Sequence, residues 1–304
     1  MEPRPLRHAY LIMTHGNFPI LEKQLRFLDS DNADFYVHVD AKAGEIDTDR
    51  FCSLPRRSRV TFIDRIDVRW GDFSQVEGEL ALLKASAAAG YDYYHLLSGV
   101  DVPIKSRAYI EQYFAERAGT NFLKFQASEI SEHDLARVKY YHPFQHMNIR
   151  SRALRKLLRE ASRLPQRLVG TDRTRSYPGV VFQKGTNWFS LTDEAVRLVI
   201  SREALIRQFC RSSCCADEIF VQTVIFGSPL RHTLADHAFE NDFRSCCRYV
   251  DWSRGDPYTF TDGDLDELVS AGADYLFARK FDYAAHPGVV DRLFEIFGED
   301  QGGT

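Results

Sequence analysis

The chain has 304 residues, of which 44% are hydrophobic and 27% are charged, and its 39 basic and 43 acidic residues leave a net charge of -4. This composition excludes a disordered or collagen-like chain and supports a sizeable buried core. The charge balance also argues against a nucleic-acid-binding protein, because such proteins carry a basic excess.

Signals for a membrane span or a disulfide framework are weak. The sequence contains no apolar run of about 18 residues, the length needed to cross a bilayer. The first apolar run, from His8, is typical of a strand rather than of a signal peptide. The six cysteines are sparse, and the pairs Cys214/Cys215 and Cys246/Cys247 lack zinc-site spacing. We therefore expect a cytoplasmic protein with buried thiols and no zinc; a metal site or a disulfide is the alternative for the paired cysteines.

Short runs of β-forming residues alternate with helical segments in the first hundred residues. The predicted strands lie at 8–14, 35–39, 59–64 and 91–99, and the predicted helices at 18–29 and 74–89. This alternation predicts an α/β fold with a mainly parallel sheet, helices on both faces, and ligands at the carboxyl ends of the strands. No linker or repeat divides the chain, so residues 1–304 are expected to form one domain.

The second half has a different composition. Residues 149–175 carry nine Lys or Arg and two acids, which predicts either a solvated helix face or a surface that meets anionic lipid or a polyanionic acceptor. Pro165 is expected to end or kink this helix. Further on, residues 180–192 predict strands around a turn, 217–228 predict a helix, and 283–304 a C-terminal helix and tail.

Polar groups follow two of the early strands. Asp40 ends the second strand, where nucleotide-binding α/β domains contact ribose or base, although a plain turn would use the same residue. Val68, Arg69 and Trp70 precede the third helix, whose cap is predicted at Asp72 or Ser74. The Trp70 ring would either pack in the core or stack on a ligand ring.

Five more charged residues are candidates for chemistry. Asp101 is the single aspartate at the end of its predicted strand, and one carboxylate is a poor binding site for Mg²⁺ or Mn²⁺. Arg279 and Lys280 lie between aromatic residues and suit phosphate oxygens, the alternative being a surface charge pair. Asp217 and Glu218 open a predicted helix, where the simplest interpretation is a cap and a partner for the helix dipole.

Six motifs together point to one enzyme family. They are HVDAK (38–42), VRWGDFS (68–74), YYHLLSGVDVPI (93–104), KGTNWFSL (184–191), ADEIFVQTV (216–224) and YLFARKFD (275–282). Over residues 8–282 the chain resembles the core-2/I-branching β-1,6-N-acetylglucosaminyltransferase family, which includes peptide O-xylosyltransferases. Each motif alone is weak, and the specific signal is their order and spacing.

The resemblance implies a nucleotide-sugar transferase (GT-A-like) fold without a DxD metal motif, and an inverting transfer that needs no divalent metal. It implies that Glu218 is the general base and that Arg279 and Lys280 hold the UDP diphosphate. It also implies donor contacts at Asp40, Val68, Arg69, Trp70, Asn187 and Trp188, and it implies that Asp101 is part of the floor of the donor or acceptor site.

The resemblance leaves substrates open. A UDP-sugar, most simply UDP-N-acetylglucosamine, is the expected donor, with UDP-xylose or another UDP-sugar as the alternative, and a catalytically idle carbohydrate-binding scaffold as the alternative from another class. Familiar members carry a membrane anchor and several disulfides, features that this sequence does not predict. We therefore expect a bacterial-type member that modifies a glycan or lipid-linked oligosaccharide. Residues 149–175 would then contact the inner face of the plasma membrane.

Overall fold

The computed structural model describes residues 4–147 and 151–298. The strands are β1 (His8–Thr14), β2 (Ala33–Val39), β3 (Val60–Phe62), β4 (Tyr93–Ser98), β5 (Asp101–Pro103), β6 (Phe122–Phe125), β7 (Gly185–Thr192), β8 (Arg248–Val250) and β9 (Phe277–Arg279). The helices are α1 (Phe18–Phe27), α2 (Thr48–Cys52), α3 (Phe73–Ala87), α4 (Arg107–Glu116), α5 (Glu132–Lys139), α6 (Arg152–Leu168), α7 (Asp193–Ser201), α8 (Glu203–Cys210), α9 (Phe220–Phe226), α10 (Leu265–Ala271) and α11 (Pro287–Gly298).

The central sheet has six strands in the spatial order β3-β2-β1-β4-β7-β6. β1 is parallel to β2 and β4, and β2 is parallel to β3. β7 is antiparallel to its neighbours β4 and β6, so the other five strands share one direction. The prediction of a mainly parallel sheet is confirmed, and the architecture is consistent with a nucleotide-sugar transferase fold.

Two apolar layers hold the helices against this sheet. Leu80 of α3 and Val196 of α7 are buried on one face together with Leu96 of β4. Leu21 of α1 and Phe114 of α4 are buried on the other face. Burying each side chain of this size contributes roughly 1.5–3 kcal/mol. The strand ends are therefore fixed from both sides, which gives the loops that follow them a rigid base.

A second, three-stranded sheet brings together distant parts of the chain. Its order is β5-β9-β8, and β5 runs antiparallel to β9 with Asp101 opposite Arg279. Directly opposite residues on neighbouring strands are within side-chain reach. The pairing therefore places the strand-end aspartate beside the cation of the FARKF motif.

Three local predictions differ from the structure. Residues 185–192 form one strand rather than two strands around a turn, so Asn187 and Trp188 lie on β7. The predicted helix at 217–228 is divided at Ile219, whose φ of -125° is not helical, and the segment before it starts at Cys215, which is left-handed and donates its backbone N–H to the Gly71 carbonyl. A short 3-10 turn, Ala216–Glu218, then precedes α9. These breaks depend on tertiary contacts, which periodicity does not reveal.

The basic helix also differs in its end point. α6 contains Pro165 but continues to Leu168. The turn after it is closed by the Val169 N–H, which donates to the Pro165 carbonyl, and by Gly170 at φ +69°. A proline removes one hydrogen bond of a helix, and here the helix ends one turn later, where a glycine can adopt the left-handed conformation.

Candidate active site

A cavity of about 470 Å³ lies at the carboxyl ends of β1, β2 and β4. This edge of a parallel sheet is the usual place for a ligand, because the chain order reverses there. The lining side chains are Met13, His15, Asp40, Lys42, Ala43, Val68, Trp70, Gln75, Glu79, Leu96, Leu97, Ser98, Val100, Asn187, Trp188 and Arg279.

Lys42 organises the end of the cavity next to β2. The Asp40 carboxylate accepts hydrogen bonds from the Lys42 backbone N–H at 2.8 Å and from its Nζ at 3.0 Å. The same Nζ pairs with Asp67 at 2.6 Å and donates to the Val68 carbonyl. Lys42 therefore ties the end of β2 to the loop before α3 and fixes the wall to which Val68 and Trp70 belong.

Arg279 forms a fixed cationic point on the opposite wall. Its Nη1 donates to Ser98 Oγ at 2.6 Å and to Asp101 Oδ1 at 3.0 Å. Its guanidinium carbon lies 4.3 Å from the centre of the Trp188 ring. The Asp101 side chain is 1% exposed, and Ser98 donates to it from both Oγ and the backbone N–H. The hydrogen-bonded Asp101 carboxylate and the stacked Trp188 ring together restrict the orientation of the Arg279 guanidinium.

Gly99 allows this arrangement to form. A Cβ at this position would lie 2.3 Å from Thr14 Oγ1, which is far inside van der Waals contact. The Gly99 N–H donates to the Met13 carbonyl, so the ends of β1 and β4 approach closely. The turn from Ser98 to Asp101 is consequently packed against β1, and the carboxylate that orients Arg279 is held in place.

Two acidic groups lie close together at the cavity, and among the described residues neither forms an ion pair with a cation. Glu79 of α3 lines the cavity, is 1% exposed, and its Oε2 has no hydrogen-bond partner among the described residues. Burial, and then the nearby charge of Asp217, raise the pKa of Glu79 well above its ordinary value, against a smaller opposite effect of the Asn187 amide. Both effects favour the protonated, neutral form of the Glu79 carboxyl group.

Asp217 continues this acidic cluster beneath the cavity wall. Its Oδ2 accepts a hydrogen bond from Gln75 Nε2 at 3.1 Å, while its Oδ1 is buried without a partner in the described chain. Burial and the neighbouring charge of Glu218 raise the pKa of Asp217 to about 7. Gln75 and Glu79 are four residues apart and share one face of α3, so this helix supplies both polar groups to the cavity.

Glu218 points the other way from its neighbour. Its Oε2 pairs with Arg137 Nη1 at 2.7 Å and with Lys184 Nζ at 3.4 Å, and its side chain is 33% exposed. Two adjacent acids thus have opposite environments: Asp217 is buried, whereas Glu218 lies between two cations and is partly open to solvent. Only an accessible carboxylate can meet the hydroxyl of an incoming molecule.

Comparison with known proteins agrees with the family that the motifs indicated. A sequence model described as Core-2/I-Branching enzyme matches residues 8–268, which is most of the chain. The chain belongs to the Core-2/I-Branching enzyme family. The recognition made from the motifs is thereby confirmed, and the chain is a member of a family of glycosyltransferases.

Curated relatives carry the name xylosyltransferase. The chain is 27% identical to Xylosyltransferase 2 of Canis lupus familiaris and 26% identical to that of Homo sapiens, over 99% and 100% of its own length. It is 24% identical to a xylosyltransferase of Ciona intestinalis over 99% of its length. In each case the match covers 35% of the relative, so the chain spans about a third of the length of these proteins.

The structure brings six of the ten predicted site residues of this family member into the cavity wall. These are Asp40, Val68, Trp70, Asn187, Trp188 and Arg279. Asp101 lies behind the wall as the partner of Arg279, and Glu218 lies beyond the acidic cluster. Arg69 and Lys280 are the other two.

Arg69 and Lys280 are not among the described residues that line the cavity. The Arg69 guanidinium pairs with Asp67 at 2.7 Å and donates to the His146 carbonyl, so it joins two surface segments. Lys280 follows the last residue of β9, and its backbone carbonyl accepts from the Phe260 N–H. Among the residues described, its side chain is not part of the cavity wall. Arg279 is therefore the member of the cationic pair that faces the cavity.

Several site residues were missed in the sequence. Glu79, Gln75, Arg137 and Lys184 occur in ordinary polar positions, and Lys42 appeared only as a letter within HVDAK. The one available signal was Glu79, an acid inside the apolar pattern of VEGELALL on α3. An acid on the buried face of a helix is rare unless it is paired or functional.

The cysteines and the helices complete the description. All six cysteines are free thiols; four are buried, as predicted, while Cys52 is exposed and Cys215 is half-buried. Cys214 Sγ and Cys215 Sγ lie 3.6 Å apart.

In the described part of the chain, no helix combines the length and apolar character needed to cross a bilayer.

Proposed function

We propose that this chain transfers a sugar from a UDP-sugar to a hydroxyl group of a glycan or protein acceptor. The observation that carries the proposal is the Arg279 guanidinium, which is fixed on the cavity wall by Asp101, Ser98 and the Trp188 ring. Both hydrogen bonds that Arg279 makes to described residues leave from Nη1, which would leave Nη2 for phosphate oxygens.

The proposed role of Arg279 is to stabilise the leaving group. Negative charge grows on the diphosphate as the glycosidic bond breaks, and a cation that is already oriented needs no reorganisation at that moment. This arrangement supports the expectation that the reaction proceeds without a divalent metal. Lys280 is proposed as a secondary cation that approaches only when the donor is bound.

The positions of the other cavity residues suggest how a donor would lie. With the diphosphate at Arg279, the uridine would extend towards Asp40, Val68 and Trp70. The sugar would extend towards Gln75, Glu79 and Asn187. A neutral Glu79 could both donate and accept hydrogen bonds with sugar hydroxyls, and it would add no negative charge near the diphosphate.

Glu218 is proposed as the general base of a single inverting displacement. The acceptor hydroxyl would replace one of the two cations at the carboxylate and lose its proton to Glu218 as it attacks the anomeric carbon on the face opposite UDP. The cations Arg137 and Lys184 would hold the carboxylate in place before the acceptor arrives. Asp217 is less suited to this role, because it is buried and an acceptor hydroxyl could not reach it as readily.

Two donors remain candidates for this family member. N-acetylglucosamine is the sugar expected from the family resemblance, and the names of the curated relatives favour xylose. On the acceptor side, a glycan, a protein or a lipid-linked oligosaccharide would each present the hydroxyl that the reaction needs. A catalytically idle scaffold is disfavoured, because its fold would not require an accessible base and an oriented cation together.

The proposal is tested by measuring transfer with purified protein and labelled UDP-N-acetylglucosamine or UDP-xylose, in EDTA, with a panel of glycan acceptors. We expect one donor to be used, and the Glu218→Gln variant to lose about 10²–10⁴-fold in transfer rate while it still binds UDP. Glu194→Gln, an exposed acid on α7, is the matched control. Full activity of Glu218→Gln would remove this residue from the mechanism, and absence of UDP binding to the wild-type chain would contradict the proposed function itself.

A further inference from the structure

The orientation of α6 is the reverse of that of an ordinary surface helix. Its large apolar side chains point away from the protein, and several are more than half exposed. The exposed fractions are 46% for Leu154, 64% for Leu157, 60% for Leu164 and 80% for Leu168, and the next residue, Val169, is 79% exposed. Surface helices normally bury their apolar stripe against the core.

The face of α6 that meets the protein is polar. Arg163 is buried, and Gln166 exchanges two hydrogen bonds with the backbone of Tyr141, at 2.8 and 2.9 Å. The Arg159 guanidinium contributes to lowering the pKa of the Cys214 thiol, so it too faces inwards. The helix is thus docked by polar contacts, and its leucines are left as a narrow stripe on the outside.

The stripe is continuous along the helix. Leu154, Leu157, Leu164 and Leu168 follow the spacing i, i+3, i+10 and i+14, which keeps them on one side of an α-helix. Lys156 and Arg167 flank the stripe and are exposed. A helix of 17 residues is about 25 Å long, which is enough for several turns to lie along a surface.

The charge of α6 distinguishes between two possible partners for this surface, a second copy of the chain and a bilayer. The spacing would also suit a coiled coil with a second copy of the chain. However, residues 152–168 contain six Lys or Arg and one acid, Glu160, so two copies would bring strongly like-charged faces together. An apolar stripe flanked by cations instead matches a bilayer with anionic headgroups, which takes up the leucines and attracts the charges.

We propose that α6 is a membrane-docking helix that lies in the interface of an anionic bilayer, with Leu157, Leu164 and Leu168 inserted and Lys156 and Arg167 among the headgroups. Docking itself does not depend on the proposed glycosyl transfer.

The helix is also linked to the cavity. Gln145, in the segment before α6, donates to the Trp70 carbonyl at 3.1 Å, and Arg69 donates to the His146 carbonyl. The docked surface would therefore be joined to the cavity loop through two short contacts. An acceptor anchored in the same bilayer would be held close to the active site.

The test is flotation of the purified chain with vesicles made of equal parts phosphatidylglycerol and phosphatidylcholine, and with phosphatidylcholine alone. We expect binding to the mixed vesicles that weakens with added salt, and little binding to the neutral ones. Replacing Leu157, Leu164 and Leu168 by Ser should lower the bound fraction about tenfold or more. Lys156→Gln with Arg167→Gln should also lower it about tenfold.

Matched controls separate docking from general surface effects. Val181→Ser with Val269→Ser removes exposed apolar groups elsewhere, and Arg56→Gln with Arg202→Gln removes the same charge elsewhere; both should bind like wild type. Calorimetric UDP binding checks that each variant keeps its fold. Equal binding to neutral vesicles, or no loss in the α6 variants, would overturn the proposal. So would a wild-type dimer in sedimentation that the leucine variant abolishes, because a second copy would then cover the stripe.

Discussion

Two walls of the cavity differ in whether their buried charged groups are paired. At one wall, Arg279 and the buried Asp101 satisfy each other within a network that includes Ser98. At the other, Glu79 and Asp217 each have a buried oxygen without a partner in the described residues, and the pKa values of both are raised. A paired charge persists when it is buried, whereas an unpaired acid keeps its proton. The cavity therefore has one wall with a fixed cation, here called the paired wall, and another at which burial favours the protonated form of the acids, here called the neutral wall.

The largest expected effect comes from removing the cation. Arg279→Ala should reduce the transfer rate by about 10²–10³-fold, because the charge that meets the departing diphosphate is lost. Initial rates at saturating and limiting donor would measure this, with Arg56→Ala as a matched surface control. A variant that keeps its rate would mean that Lys280 alone stabilises the leaving group.

The neutral wall can be tested through stability. The folded-state pKa of Asp217, about 7, lies above the ordinary value of 3.8. The buried acid form therefore contributes stability that is complete below about pH 4 and is lost as the pH rises through about 7. For Asp217 we expect the free energy of unfolding to fall by about 2–3 kcal/mol between about pH 5 and about pH 8.

Asp217→Asn removes this titration while keeping the shape of the side chain. Chemical denaturation of both proteins at the two pH values should show a smaller fall for the variant, which should be the more stable protein at the higher pH. Asp31→Asn is the control, because the Asp31 side chain is 77% exposed and lies before β2, at the other end of the sheet from the cavity. The same pH slope in wild type and Asp217→Asn would mean that Asp217 is ionised in the folded protein.

The paired wall can be weakened without touching the cation. Asp101→Asn should lower the transfer rate about tenfold, since Arg279 would lose the carboxylate that orients it. If Asp101 acts through Arg279, the double variant with Arg279→Ala should be no worse than Arg279→Ala alone. Additive losses in this cycle would instead assign Asp101 a separate contact with the substrate.

The smallest effect is expected at Glu79. Because its carboxyl group is held neutral, the Glu79→Gln variant should keep its transfer rate within about threefold near pH 7, as the amide replaces a neutral acid of similar size. Glu79→Ala, which removes the hydrogen-bonding group, should raise the KM of the donor more. A large loss in Glu79→Gln would show that the reaction requires an ionised carboxylate at this wall.

The sequence was most informative where local pattern decides the structure. The strands β1, β2 and β4 and the helix α3 with its Asp72 cap follow from alternation, periodicity and capping. Since parallel strands end at one edge, Asp40, Ser98 and Trp70 could be expected to converge. The resemblance to the family located Glu218 and Arg279, which no local pattern distinguishes from surface charges.

The rest depended on contacts between distant residues. Asp101 and Arg279 are 178 positions apart, and their pairing follows from the register of β5 against β9. Asn187 and Trp188 were expected on a turn, yet antiparallel pairing with β4 and β6 makes them part of a strand. The proton on Glu79 depends on its burial in the folded chain, and the outward leucines of α6 contradict the rule by which helices are usually read.

The most direct test of the account is calorimetric titration of UDP into wild type and Arg279→Ala, with and without EDTA. We predict that wild-type binding is unchanged by the chelator and that the variant binds UDP at least about tenfold more weakly, as expected for the loss of a charge-assisted contact to phosphate. Binding that disappears in EDTA, or equal affinities of the two proteins, would contradict the claim that Arg279 holds the diphosphate in place of a metal.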